Sequence, residues 1–296
     1  MCGIFAALTT KDKEELRKYF ELMRHRGPDA SEFKQIDSNV IMGFHRLAIN
    51  DLTHNGMQPL VFENAVLVCN GEIFNYKELI DKYRFVMNTG SDCEVLLHLY
   101  HHFGRGELAL KRLLKEIEAE FAFVLYDTER KQCYIARDPF GVRPLFIGNE
   151  GNEGNEGNEG NEGNSWYIAS ELKGISFVEN VKQFKPSYFR IIDLQTHSYH
   201  EEKYYEISLE KMCPAPSIDV IHHNIRQILD KAVRIRLMSD RPVGVTLSGG
   251  LDSSLILALV SKYLPNVECF SIGLNNESYD IIAAKKVVEH LNSLGR

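Results

Sequence analysis

What most constrains the fold of this 296-residue chain is a change of pattern near residue 206. Before it, short apolar, β-branched or aromatic runs recur between turns: Gly3 to Leu8, Val40 to Phe44, Val66 to Cys69, Phe121 to Tyr126, Cys133 to Ala136, Leu145 to Ile147, Trp166 to Ala169 and Phe189 to Asp193. Such runs predict strands. Helical periodicity predicts helices over Lys13 to Met23 and Asp92 to Phe103, with Leu108 to Ile117 as a third candidate. The expected architecture is a β-rich α+β sandwich with a few covering helices.

Beyond residue 206 the texture differs. Pro214 and Pro216 mark a linker over 207–217, and Ile218 to Met238 carries Ile221, Ile225, Ile228, Leu229, Ala232, Val233 and Leu237 at helical spacing. A fully apolar strand candidate (Val243 to Leu247), a Gly-rich turn, a helix (Ser253 to Leu264), a second strand (Val267 to Leu274) and a further helix (Asp280 to Leu291) follow. This alternation predicts an α/β domain with a parallel sheet over 218–296, after an α+β domain over 1–206. Two strands are few for a parallel sheet, so the expectation is that the second domain is incomplete within this chain.

A Gly-Asn-Glu repeat from Gly148 to Asn164 supplies five glutamates, and without them the net charge of −7 falls to −2. It buries no apolar surface and predicts a disordered, expanded hairpin tip. Charge therefore suggests neither nucleic-acid nor membrane binding. The six cysteines are scattered without C-x-x-C pairing and read as free thiols in a reducing compartment. Ile4 to Leu8 is too short for a signal segment, and no run approaches the ~18 apolar residues of a membrane span. A cytoplasmic location is expected.

Two motifs carry chemistry. Removing Met1 would leave Cys2 as residue one, a thiol beside its own α-amino group, whose ordinary pKa of about 7.7–8.0 suits it to take the thiol proton near neutrality. Leu247-Ser-Gly-Gly-Leu-Asp-Ser-Ser254 lies between a buried strand and a helix start, where backbone N–H groups, hydroxyls and the helix N-terminus favour a phosphate. Ser253 and Ser254 are expected to cap that helix. The histidines, among them His25, His45 and the pair His101-His102, have no metal-ligand spacing and read as structural or exposed.

Ser-Gly-Gly-x-Asp-Ser resembles the PP-loop of ATP pyrophosphatases, which cleave ATP between the α and β phosphates. Met-Cys-Gly-Ile-Phe, Arg24-His-Arg-Gly-Pro-Asp29, Gly43 to Asp51, Gln58-Pro-Leu60, Asn70-Gly-Glu-Ile-Phe-Asn75, Thr89 to Glu94, Arg137 to Leu145 and Ala169 to Lys173 resemble, in order and spacing, the class II glutamine amidotransferases. Together the two halves resemble glutamine-hydrolysing asparagine synthetases, from Met1 to about Leu291.

That resemblance implies an N-terminal-nucleophile αββα sandwich followed by the start of a Rossmann-like adenine-nucleotide domain. It makes Cys2 the nucleophile and Asn70 with the Gly71 N–H the oxyanion hole. It places glutamine among Arg46, Leu47, Ala48, Ile49, Asn50, Asn70, Gly71, Glu72 and Asp92, with Arg46 on the α-carboxylate and Asp92, near Glu72, on the α-ammonium. It places ATP among Leu247, Ser248, Gly249, Gly250, Asp252, Ser253, Ser254 and Ile272, with Asp252 reaching Mg²⁺ through the phosphates. The implied reaction activates aspartate as β-aspartyl-AMP and delivers to it ammonia released from glutamine; a homodimer is one implied assembly. Later segments of the family's nucleotide domain have no counterpart before residue 296. The alternatives for this chain are therefore glutaminase activity alone, or a non-catalytic glutamine- or ATP-binding regulatory role.

Overall fold

A computed structural model describes residues 1–151, 164–208, 216–275 and 278–295. The chain divides into two compact units, Met1–Ser208 and Leu209–Arg296.

The first unit opens with β1 (Gly3–Leu8), α1 (Lys13–Glu21), β2 (Ala30–Asp37) and β3 (Val40–Arg46). Next come β4 (Leu60–Phe62), β5 (Ala65–Ile73), α2 (Tyr76–Tyr83), α3 (Val95–His102) and α4 (Glu107–Glu116). It closes with β6 (Ala119–Asp127), β7 (Gln132–Arg137), β8 (Phe146–Glu150), β9 (Ser165–Ala169), β10 (Asn180–Gln183), β11 (Tyr188–Asp193) and β12 (Tyr199–Lys203). The strands form two antiparallel sheets, ordered β10-β8-β9-β1-β3-β2 and β12-β11-β7-β6-β5-β4.

Side chains on a strand point alternately to its two faces, and here both faces are covered. In β1, Ile4, Ala6 and Leu8 enter the core between the sheets with Val66, Val68 and Val124 of the other sheet. Phe5 and Ala7 enter an outer core with Leu16 and Phe20 of α1. On the far side, Leu67 and Cys69 of β5 pack with Phe123 of β6, Leu96 and Leu99 of α3, and Leu110 of α4. The layers thus run helix, sheet, sheet, helix, an αββα sandwich. Two-sided burial explains the near-continuous apolar runs, each buried Leu or Phe contributing about 1.5–3 kcal/mol.

The first copy of the Gly-Asn-Glu repeat is strand, not loop. Gly148, Asn149 and Glu150 pair with Tyr167, Trp166 and Ser165, and Glu150 accepts from Lys11 Nζ (2.7 Å) and Tyr167 Oη (2.8 Å). The disordered tip expected of the repeat lies, from 152 to 163, outside the described residues, as does most of the expected linker.

The second unit contains α5 (Ile218–Ile235), β13 (Gly244–Thr246), α6 (Leu251–Val260), β14 (Glu268–Phe270) and α7 (Tyr279–Ser293). β13 and β14 are parallel neighbours, joined through α6, over a core of Val233, Val245, Leu247, Leu257, Val260 and Ala284. The apolar stripe read along α5 is buried at Val233, but Ile221, Ile225 and Ile228 are exposed. α6 starts at Leu251 rather than Ser253, with Gly250 as N-cap and no side-chain cap. The capping role expected of Ser253 and Ser254 is therefore not adopted, because both sit inside the first turn. No helix of the described residues is long and apolar enough to cross a membrane.

Candidate active site

One cleft in the first unit is lined by Cys2, Arg46, Leu47, Ala48, Ile49, Asn50, Asn70, Gly71, Glu72 and Asp92. They come from the residue before β1, the end of β3 and the loop after it, the C-terminal half of β5, and the turn leading into α3.

Cys2 is held by its neighbours. Its Sγ accepts from the Leu47 N–H at 3.4 Å and donates to the Leu47 carbonyl at 3.5 Å. Arg26 Nε donates to the Cys2 carbonyl at 2.8 Å while Nη1 pairs with Glu171 at 3.1 Å. Burial pushes the thiol above its ordinary pKa, opposed by the Leu47 N–H, the N-terminal ammonium and Arg143. At rest the sulfur is protonated, so its attack needs a base. The α-amino group of Met1 titrates below its ordinary value, chiefly through burial, with Arg26 and Arg143 adding to the effect.

Arg46 is buried and its guanidinium is fixed by the loop it precedes. Nη1 donates to Thr53 O (2.5 Å), and Nη2 to Asp51 O and to Asn50 O (3.5 Å). Asp51 in turn accepts from the Thr53 N–H (3.1 Å) and the Gly90 N–H (2.9 Å). Gly56 closes against this arrangement: a Cβ there would lie 2.5 Å from Arg46 Nη2.

Asn70 Nδ2 is buried without a hydrogen-bond partner. A sealed N–H₂ group with no acceptor is costly, and here it is contributed by a residue lining the cleft that Cys2 enters. Asp92 Oδ2 accepts from the Ile73 N–H (2.7 Å) and Oδ1 from Asn50 Nδ2 (3.3 Å). Burial raises its carboxyl to about 6, with the Glu72 carboxylate adding to the rise. The cleft therefore holds a fixed cation in Arg46 and an acidic end in Asp92 and Glu72, with a protonated thiol and an unmet donor on its wall.

Three lining or supporting residues gain roles only from the fold. Arg143 Nη2 pairs with Glu72 at 3.1 Å and its Nε is buried without a partner. Gln58 answers the Cys69 backbone like a strand, donating to its carbonyl at 3.1 Å and accepting from its N–H at 2.6 Å. Arg26 anchors Cys2. All three lie in motifs visible in the sequence, but nothing local marks what they touch.

His45 is a packed side chain: its ring stacks on Phe20 at 3.8 Å and its nitrogens meet Ser31 Oγ and the Phe20 carbonyl. Tertiary structure does gather His200 with Glu107 and Glu202, ligand atoms within 4.8 Å of one another, a grouping invisible to spacing. Lys111 Nζ already meets both carboxylates, at 2.8 and 2.6 Å.

In the second unit a pocket of about 400 Å³ is lined by Leu247, Ser248, Ser253 and Ile272 of the expected set, together with Thr246, Phe270, Ser271 and Asp280. Gly249, Gly250, Asp252 and Ser254 belong to the adjoining loop and helix start, outside that lining. Gly249 has φ +77°, and a Cβ there would lie 2.6 Å from Ala283 Cβ and the Ala284 nitrogen. Ser248 and Ser253 hydroxyls meet at 2.9 Å and close the loop on itself. Ser254 Oγ is buried without a partner. Hydroxyls, backbone amides and the start of α6 suit an oxyanion such as a phosphate. Asp252, exposed in the first turn of α6, and Asp280 supply oxygen donors of the kind Mg²⁺ takes.

Comparison with known proteins matches a glutamine amidotransferase domain family over residues 1–225 and an asparagine synthase family over 224–294. A probable asparagine synthetase [glutamine-hydrolyzing] of Acanthamoeba polyphaga mimivirus is 37% identical, covering 98% of this chain and 55% of that protein. The asparagine synthetases of Gallus gallus and Homo sapiens are each 33% identical, covering 99% of this chain and 55% of theirs. The chain thus spans about half the length of these relatives. Among solved structures, a glutamine phosphoribosylpyrophosphate amidotransferase from B. subtilis shares the fold, with TM-score 0.58 at 21% identity over 91% of this chain and 65% of that one.

Proposed function

Because the chain belongs to the glutamine amidotransferase family, we propose that its first unit hydrolyses the side-chain amide of glutamine through Cys2. The observation that carries this reading is the orphaned Asn70 Nδ2 in the cleft of Cys2. A carbonyl under attack by the thiol develops an oxyanion, and a donor already desolvated and unpaired is suited to stabilise it, with the Gly71 N–H as its companion. Arg46 takes the α-carboxylate of glutamine and Asp92, helped by Glu72, its α-ammonium; Leu47, Ala48, Ile49 and Asn50 line the path between.

Cys2 Sγ bonds to the amide carbon, its proton passes to the departing nitrogen, and the C–N bond breaks to give ammonia and a γ-glutamyl thioester. Water then cleaves the C–S bond, releasing glutamate and restoring the thiol. The proton relay is the Cys2 α-amino group, which is an amide nitrogen while Met1 is attached, so activity requires removal of Met1.

The second unit is proposed to bind ATP, with the Ser248–Ser254 loop on the phosphates and Leu247 and Ile272 beside the adenine. Mg²⁺ held through Asp252 would neutralise charge on the leaving pyrophosphate. In this reading aspartate is activated as β-aspartyl-AMP with release of pyrophosphate, and ammonia displaces AMP to give asparagine. The location is cytoplasmic, and a homodimer is the assembly to test first.

The deciding experiment measures ammonia from glutamine with wild type and Cys2→Ala, after mass spectrometry of the N-terminus, and ATP-dependent pyrophosphate in parallel. Cys2→Ala is expected to lower ammonia release by at least about 10³-fold. No ammonia from wild type bearing a free Cys2 amine would overturn the first half. Ammonia without pyrophosphate would confine the function to glutamine hydrolysis.

A further inference from the structure

A cavity of about 250 Å³ in the first unit involves the outermost strands of both sheets, β10 of one and β12 of the other. It shares no residue with the cleft of Cys2. Its charged lining is Lys182, Lys185, Arg190 and Glu201, three cations and one carboxylate. Glu201 already accepts from Lys185 Nζ at 2.8 Å and from Arg190 Nε and Nη2 at 3.0 and 2.7 Å. Its own carboxyl is held below the ordinary range, mainly by Lys185 and Arg190 against the cost of burial.

Arg190 is the unusual member. Its side chain is 9% exposed, and Nη1 is sealed from solvent without a hydrogen-bond partner. The rings of Trp166 and Tyr199 lie 5.0 and 4.5 Å from its guanidinium carbon and hold it in place. Buried donors of a charged group are normally satisfied, and a guanidinium pairs best with a planar or tetrahedral oxyanion. One carboxylate shared between two cations leaves both the donor and the excess positive charge unmet.

We propose that this cavity binds a small oxyanion, a carboxylate or a phosphate group, with Arg190 at its base and Lys182 and Lys185 at its rim. The ligand bridges edge strands of the two sheets and sits beside Ile147, the residue preceding the Gly-Asn-Glu repeat.

Trp166 is the only tryptophan of the chain and lies against Arg190, so intrinsic fluorescence reports on the site. The full chain is titrated with inorganic phosphate and, separately, with succinate, at ionic strength held constant with sodium chloride. A saturable change is expected, weakened at least about tenfold in Lys185→Gln. Lys185 is 62% exposed, so this variant folds, which far-UV circular dichroism checks. Saturation with phosphate alone assigns a phosphoryl ligand; saturation with succinate alone assigns a carboxylate. A non-saturable response to both anions, or identical curves for wild type and Lys185→Gln, overturns the proposal.

Discussion

Arg26 Nε donates to the carbonyl oxygen of Cys2 at 2.8 Å, so the backbone of the proposed nucleophile is gripped by a side chain 24 residues away. The grip is itself braced, since Arg26 Nη1 meets Glu171 at 3.1 Å. Replacing Arg26 with Met frees the Cys2 peptide to rotate and leaves Glu171 with its exposed partners His25 and Lys173. Arg26→Met is expected to lower kcat for glutamine hydrolysis by about 10²-fold with KM nearly unchanged, because misplacing a reacting atom by about 1 Å has that cost. A rise in KM at constant kcat would instead place Arg26 in substrate binding.

Asn70→Ala removes the unpaired donor without touching the thiol. The expected result is a fall in kcat of about 10²–10³-fold at near-constant KM, since the interaction strengthens as the oxyanion forms. Removal of an orphaned buried amide also lowers no native hydrogen bond recorded for Nδ2, so thermal unfolding should show Tm unchanged or raised.

Asp92, with its carboxyl raised to about 6, makes a pH-dependent acceptor for an ammonium group. Its charged form predominates above that value, so kcat/KM for glutamine is expected to fall as pH drops through about 6, and the acid limb should vanish in Asp92→Asn, whose KM rises at pH 7.5. The stability sign is opposite. A carboxyl raised in the folded state favours folding below its unfolded pKa of about 3.9, and that contribution is lost as pH rises through 6. Asp92→Asn should therefore unfold at equal or higher temperature than wild type at pH 7.5 while binding glutamine less well.

Gly56→Ala tests the seat of Arg46 from behind. The added methyl would lie 2.5 Å from Nη2 and must displace either the guanidinium or the 54–56 turn. KM for glutamine is expected to rise about tenfold or more with the fold intact by circular dichroism, the loss of a charge-assisted hydrogen bond being worth that factor. Unchanged KM would show that the turn yields and Arg46 stays.

Which strands were legible follows a physical rule. β1, β3, β5, β6, β7, β8, β9 and β11 were all expected, and each lies between two neighbours in its sheet. The four missed strands, β2, β4, β10 and β12, are the four sheet edges. An edge strand has one partner and a wet side, so β2 buries only Phe33 in Ala30–Asp37, and β12 reads Tyr-His-Glu-Glu-Lys. α2 escaped for a related reason, since Leu79 is its one buried residue.

For the site, Cys2, Arg46, Asn70, Gly71 and Asp92 stand in motifs whose order along the chain already pointed to one chemistry, and the loop after Leu247 pointed to an anion. These are local facts: residue type, spacing and the alternation of apolar runs, all set by covalent order. What the chain order does not contain is contact between distant segments. Arg26 on Cys2, Arg143 on Glu72, Gln58 on Cys69 and the unmet Arg190 near Trp166 exist only once two sheets stack and desolvate the space between them. Burial then decides protonation, raising the Cys2 thiol and the Asp92 carboxyl. Desolvation is a property of the packed interior, and no residue carries it alone.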